Sequence, residues 1–193
     1  NCVAPAIERA RLERLTITDH LTMAYNQRYL ATRLAEEIGR ARRHRSQLNL
    51  LLLDLDRFKA VNDRHGHAAG DVVLQSFAER VRSAVRLSDV LIRRGGDEFV
   101  LLLPDLAREQ AVAAAERIRA AVSSEPISAG GGVTVDQTVS IGAAASDGAE
   151  DADALEARAD HALYRAKRAG RNRTTLAGAD PPRPPANEEP PAG

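Results

Sequence analysis

The sequence of 193 residues predicts an α/β fold, with one sheet layer and helices packed against it. Three observations carry that expectation. Leu48 to Leu55 is a short, continuous apolar run bounded by polar residues, the pattern of a buried strand. Val90, Leu91 and Ile92 precede Gly95-Gly96, and Val100 to Leu103 follow it, which reads as two strands joined by a tight turn. Segments with helical apolar spacing lie between these strands, so the order is helix, strand, helix, hairpin, helix, strand, helix.

Each element has its own local reason. Residues from about Pro5 to Thr18 read as helix, with Ile7, Leu12 and Leu15 as apolar positions over too short a span to establish a coiled coil. The next helix starts after Asn26, a good N-cap, and runs to about Arg45. Its last turn is rich in Arg and His, which suits the negative end of the helix dipole. The strand Leu48 to Leu55 follows, with Asp54 and Asp56 at its end. Then come a helical segment to about Arg64, a turn at His65-Gly66-His67, and a helix from Asp71 to about Arg86. After the hairpin, Ala107 to Val122 forms an Ala-rich helix with Val112, Ala115, Ile118 and Val122 on one stripe. The glycines at 130–132 mark a turn, and a strand lies within Val135 to Ala145. Asp153 to Ala169 is helical and closed by Gly170 in the C′ position, and a short strand near Thr174 to Leu176 ends the fold. Beyond Ala177 the chain is proline-rich without apolar periodicity and reads as a disordered tail.

Bulk properties narrow the function. Basic and acidic side chains balance at 27 each, which argues against a general nucleic-acid binder. The single cysteine, Cys2, excludes an internal disulfide framework and suits a reducing, cytoplasmic compartment. No apolar run approaches the roughly 18 residues that span a bilayer. The chain starts at Asn1 rather than Met, so a sensor, receiver or membrane segment is expected upstream in a longer protein.

The acidic residues at strand ends carry the chemistry. Asp54 closes a buried strand, and Asp97 is expected just past the hairpin turn, followed by Glu98. If the two strands are neighbours, these carboxylates converge at one sheet edge. Hard oxygen donors of this kind suit magnesium, which takes one or two carboxylates plus substrate phosphates. The plainer alternative is that Asp54 and Asp56 merely end a strand and that Asp97-Glu98 is a solvated turn. No Cys/His cluster is present, so zinc does not fit.

Several separated motifs in order then resemble the GGDEF family of diguanylate cyclases. They are Leu53-Asp54-Leu55-Asp56-Arg57-Phe58-Lys59, Asn62-Asp63, Gly66-His67, Gly70-Asp71, Arg93-Arg94-Gly95-Gly96-Asp97-Glu98-Phe99 and Val139-Ser140-Ile141-Gly142. Asp160, Tyr164, Lys167, Gly170, Arg171 and Asn172 complete the pattern, which runs from about Asp19 to about Leu176. The resemblance implies a mostly antiparallel central sheet with flanking helices, like the palm of nucleotidyl cyclases and polymerases. It implies a domain at 19–177, the end of a stalk helix at 1–18 and a tail at 178–193.

It also implies roles. Asp54, Asp97 and the Leu55 carbonyl would hold magnesium, with manganese as an alternative, and Glu98 would assist at the same edge. Phe58 and Lys59 would offer backbone N–H groups to the terminal phosphates. Asn62 and Asp71 would bond the guanine edge, and Lys167 and Arg171, four apart, would clamp the triphosphate. Without the family, Lys167 and Arg171 are simply a basic helix end. The implied reaction condenses two GTP molecules into cyclic di-GMP and two diphosphates. One domain offers one GTP site, so the active unit would be a homodimer. Arg86-Leu87-Ser88-Asp89 matches the Arg-x-x-Asp of the family's product-inhibition site, with Arg117 as a second arm from a neighbouring domain. A surface ion pair is its plainer alternative.

The chain departs from the family pattern in three places. Met23 stands where a Gly is usual, Gln27 where an Arg is, and Arg94 where an aromatic or aliphatic residue is. A catalytically silent module that receives GTP or cyclic di-GMP is the competing class. It would be expected to show damage at the metal or turn residues, and none is seen.

Overall fold

The computed structural model describes residues 17–178. The expected stalk helix, apart from its last two residues, and the proline-rich tail beyond Gly178 lie outside the described residues. In chain order the elements are β1 (Tyr25–Asn26), α1 (Gln27–His44), β2 (Leu48–Leu55), α2 (Phe58–His65), α3 (His67–Ala84), β3 (Val90–Gly95) and β4 (Glu98–Pro104). They continue with α4 (Arg108–Ser123), β5 (Ile127–Ser128), β6 (Thr134–Val135), β7 (Val139–Ser146), α5 (Ala152–Arg168) and β8 (Thr174–Leu176). Among the described residues, no helix is long and apolar enough to cross a membrane.

Six strands form one sheet in the order β1-β3-β4-β2-β7-β8. The three central pairings, β3–β4, β4–β2 and β2–β7, are antiparallel, and the outer pairings β1–β3 and β7–β8 are parallel. This is the mostly antiparallel sheet the sequence led us to expect. β2 lies in the middle, and all eight of its residues are buried, because both sheet faces are covered. Leu51, Leu53 and Leu55 pack with Val73, Phe77 and Val81 of α3 and with Ala115 and Ile118 of α4. Leu48, Leu50 and Leu52 face the other way, against Leu30 and Leu34 of α1 and Leu155 and Ala159 of α5. The strand alternation thus divides one apolar run between two cores, and each buried leucine contributes about 1.5–3 kcal/mol.

Most element bounds agree with the sequence reading, and the differences have local causes. Asn26 caps α1 as expected, accepting from the Arg28 backbone N–H. Helix α3 begins at His67, four residues before the expected start. Gly66, at φ 82°, makes the whole break by itself, so the chain re-enters a helix at once. The buried stripe of α4 is Ala111, Ala114, Ala115, Ile118 and Val122, whereas Val112 is only half-buried. β1 and the β5–β6 hairpin have two residues per strand, too short for periodicity to reveal. In the β3–β4 hairpin, Gly95 pairs with Glu98 after a register shift. Gly96, at φ 53°, and Asp97 therefore form the turn itself, so Asp97 sits in the turn rather than past it.

Candidate active site

The end of β2 brings the acidic residues together. Asp54 pairs across the sheet with Glu98 of β4 on one side and Ser140 of β7 on the other. The Leu55 N–H donates to the Asp97 carbonyl at 3.4 Å, which ties the end of β2 to the Gly96-Asp97 turn. Phe99, 1% exposed, packs its ring against Phe77 at 4.8 Å between centroids and anchors the hairpin in the core. The two acids of the hairpin are thus held at the rim by the aromatic residue that follows them.

Lys167 reaches this rim from α5. Its Nζ donates to Asp54 Oδ2 at 2.7 Å. The helix is brought there by Gly142 of β7: a Cβ at that position would lie 2.2 Å from the Leu163 backbone nitrogen and 2.3 Å from the Ala159 carbonyl oxygen. Only a residue without a side chain lets α5 lie this close to the sheet. Lys167 stands one turn beyond Leu163, on the same face.

Burial raises the Asp54 pKa above the ordinary carboxylate range. The Lys167 ammonium opposes that shift, and the charges of Asp97 and Glu98 add to it. Several acids at one edge with one lysine between them favour a further cation. The donors are hard oxygens, suited to a divalent ion that completes its shell with phosphates. Among the described residues, no three His, Cys, Asp or Glu side chains converge into a ready-made metal cage. The edge therefore fits an ion that arrives with, or is completed by, a phosphate ligand.

Helix α2 starts at the same end of β2. Its N-cap, Arg57, makes no side-chain capping bond, and the first-turn N–H groups of Phe58 and Lys59 have no intrahelical acceptor. The Phe58 side chain is buried and fixes the helix start, while Lys59 is exposed. Further along, the Asn62 side chain lies against Gly70 of α3: a Cβ there would come within 1.9 Å of Asn62 Oδ1. Gly70 therefore does not break α3 but admits the amide of Asn62 beside Asp71, which is exposed on the next residue. Arg171 lies after α5 at φ 62° and lines a cavity beside α2.

Asp56 behaves differently. It accepts from Thr138 Oγ1 at 2.7 Å, Ser140 Oγ at 2.6 Å and the Asn172 N–H at 3.0 Å. It latches the loop after α5 onto the sheet. The sequence reading gave it no role, and nothing in its local pattern distinguishes it from Asp54.

Arg86, Asp89 and Arg117 are also brought together. The Arg86 N–H donates to Asp89 Oδ2 at 2.8 Å, and Arg117 Nε donates to the Ala84 carbonyl at 2.8 Å. Burial raises the Asp89 pKa, while the Arg86 N–H and charge and the charge of Arg117 pull it back. Arg117 thus stands beside Asp89 of its own chain.

At the entry to the domain, Asp19 accepts from Thr22 and pairs with Arg93 at 3.1 Å. Arg93 also donates to the Gly96 carbonyl, so the entry turn and the β3–β4 hairpin share one side chain. The unusual Arg94 has a partner, Glu156 of α5, at 2.6 Å.

An acidic sheet edge beside an open helix start, with a lysine over it, marks an α/β domain whose edge suits an anion held with a cation. The chain belongs to the GGDEF-domain family. The family model described as "Diguanylate cyclase, GGDEF domain" matches residues 16–173. The chain is 44% identical over 160 residues to the response regulator PleD of Caulobacter vibrioides, a match that covers 82% of this chain and 35% of PleD. It therefore spans about a third of the length of that relative. The solved GGDEF domain of TpbB (YfiN) from Pseudomonas aeruginosa superposes with a TM-score of 0.80 at 42% identity, covering 83% of this chain and 94% of that one. The coiled coil and GGDEF domain of DgcB from Caulobacter crescentus, solved in complex with c-di-GMP, gives a TM-score of 0.82 at 32% identity, covering 90% and 95%.

Proposed function

We propose that this domain is a diguanylate cyclase, which joins two GTP molecules into cyclic di-GMP and releases two diphosphates. The observation that supports this most directly is the meeting of Asp54, Lys167 and the Gly96-Asp97 turn at one sheet edge, beside the opening turn of α2. In each half-reaction the ribose 3′-oxygen of one GTP attacks the α-phosphorus of the other. A new O–P bond forms, the bond to the bridging α–β oxygen breaks, diphosphate leaves, and the 3′-hydroxyl gives up its proton.

Asp54, Asp97 and the Leu55 carbonyl would hold magnesium, or manganese, at the edge, and Glu98 would support them. Such an ion would supply Lewis-acid activation of the attacking oxygen and charge neutralisation of the leaving group. The N–H groups of Phe58 and Lys59 receive the terminal phosphates. Lys167 pairs with Asp54, but its side chain is 33% exposed, so it can turn to the triphosphate together with Arg171. Asn62 and Asp71 read the guanine edge. An aspartate accepting from two adjacent N–H groups favours guanine over adenine. Each chain holds one GTP, so the active unit is a homodimer in which two half-sites face each other. Cyclic di-GMP acts back through Arg86, Asp89 and Arg117, which grip its phosphates and guanine edges and hold the two domains apart.

The test is to incubate the dimerised chain with GTP and magnesium and to measure cyclic di-GMP. Product from wild type and none from Asp97→Ala is the expected result. A dimer that makes no product, indistinguishable from Asp97→Ala, points instead to a silent receptor module. Arg86→Ala should keep its synthesis and lose its sensitivity to added product. Unchanged inhibition would remove the brake from the proposal.

A further inference from the structure

Three arginines converge on one cavity, and only one of them has a place in the reaction above. Arg57, Arg64 and Arg171 line a space of about 480 Å³, together with Asp56, Asp136 and Asn172. This volume lies within the range of small-ligand sites. Arg57 is the N-cap of α2 and Arg64 lies in its last turn. Arg171 enters from the loop after α5. Among the described residues, none of the three guanidinium groups makes an ion pair or a side-chain hydrogen bond.

The carboxylates in the wall do not neutralise them. Asp56 already accepts from Thr138, Ser140 and the Asn172 N–H. That leaves Asp136, exposed, as the one other carboxylate lining the cavity, against three positive charges. Arg57 also holds its place at φ 58°, a left-handed conformation that favours glycine or asparagine, and it supplies no cap to α2. Arg57 is exposed and lines the cavity. Arginines without a carboxylate partner around a concave surface suit anions with several oxygens, and phosphates above all.

The position of the cavity narrows the ligand further. It lies on the face of α2 turned away from Asn62, so it is separate from the proposed guanine contacts. It shares Arg171 with the proposed triphosphate clamp, and Arg57 directly precedes Phe58. The cavity therefore adjoins the phosphate end of the nucleotide site and not its base end. We infer that this cavity is a binding site for inorganic diphosphate, which rests on the reading of the reaction above. It receives the leaving group beside the reaction centre, with Arg57 and Arg64 as its own ligands and Arg171 shared with the substrate.

The experiment is a calorimetric titration of the full chain with magnesium pyrophosphate, with GMP as a control nucleotide that carries no diphosphate. Wild type should bind pyrophosphate, and GMP should not displace it. The double variant Arg57→Ala/Arg64→Ala should weaken pyrophosphate binding by about tenfold or more, the effect of losing charge-assisted hydrogen bonds. Both side chains are exposed, so an unchanged melting temperature will show that the variant is folded. Asp71→Asn should bind pyrophosphate like wild type. A double variant that binds as tightly as wild type overturns the inference, and so does a wild-type chain that binds no pyrophosphate. Cyclic di-GMP synthesis is read in a separate assay, so a failure of the cyclase reading is not confused with a failure of this site.

Discussion

Asp54 and Asp56 sit two residues apart at the end of one strand, each 8% exposed, yet their surroundings differ. Asp56 is saturated by two hydroxyls and a backbone N–H. Asp54 has one partner, the ammonium of Lys167, and faces Asp97 and Glu98 across the rim. Equal burial therefore does not mean equal function. A buried carboxylate with neutral donors on every side is a structural latch, whereas one held by a single mobile cation among other acids is ready to exchange that cation for another.

The largest expected effect comes from breaking the Asp54 side of this pair. Asp54→Asn should cut cyclic di-GMP synthesis by about 10³-fold, the scale of losing a principal electrostatic group at a reaction centre. The fold should survive it. Asp56→Asn should do the reverse and destabilise the chain by about 1–3 kcal/mol in denaturant unfolding, because one of its two accepting oxygens becomes an NH2 group that faces donors. If both variants lose activity and stability alike, the distinction between latch and reactive group fails.

Gly142→Ala tests how Lys167 reaches Asp54. The added methyl meets helix backbone, which cannot swing aside as a side chain would, so α5 must move. A loss of about 1–3 kcal/mol in stability, with synthesis reduced in parallel, is expected. Normal synthesis in a stably folded Gly142→Ala chain would show that the position of α5 is not what aligns Lys167.

A smaller effect concerns pH. Asp54 has a raised pKa, chiefly through burial. A carboxyl raised in the folded state contributes stability that is full below its unfolded pKa and is lost as pH rises through its folded pKa. Asp54→Asn removes this loss. The melting temperature of the variant relative to wild type should therefore rise between about pH 4 and pH 7. A flat difference across that range would mean that Lys167 offsets the burial completely.

The smallest effect is at the entry turn. Met23 adopts φ 57° and is 66% exposed, so its side chain gains little for the backbone conformation it must hold. Met23→Gly should stabilise the chain by up to about 1 kcal/mol in thermal unfolding, without altering either aspartate. This conformation also explains why a glycine is usual at that position in the family.

Much of the fold was legible because its signals are local. The Leu48–Leu55 run, the Asn26 cap, the Gly95-Gly96 punctuation and the Ala-rich stripe of α4 each report on their own neighbourhood. The two-residue strands were not legible, since an alternation needs more than one period to be seen. The candidate site was read mainly from the order of its motifs, which told more than any single residue. Arg57 and Arg64 went unassigned because a basic residue on a short helix looks the same in sequence whether it faces water or a cavity.

The sequence by itself determined the kinds and order of the longer elements and the burial of β2, because side-chain period and turn chemistry act within a few residues. Only the tertiary structure decided which carboxylate is held by hydroxyls and a backbone N–H and which by a lysine. That depends on donors that come from 82, 84, 113 and 116 residues away in the chain. Burial and hydrogen bonding are properties of the assembled surfaces, and neither Asp54 nor Asp56 carries them before α5 and β7 close over the end of β2.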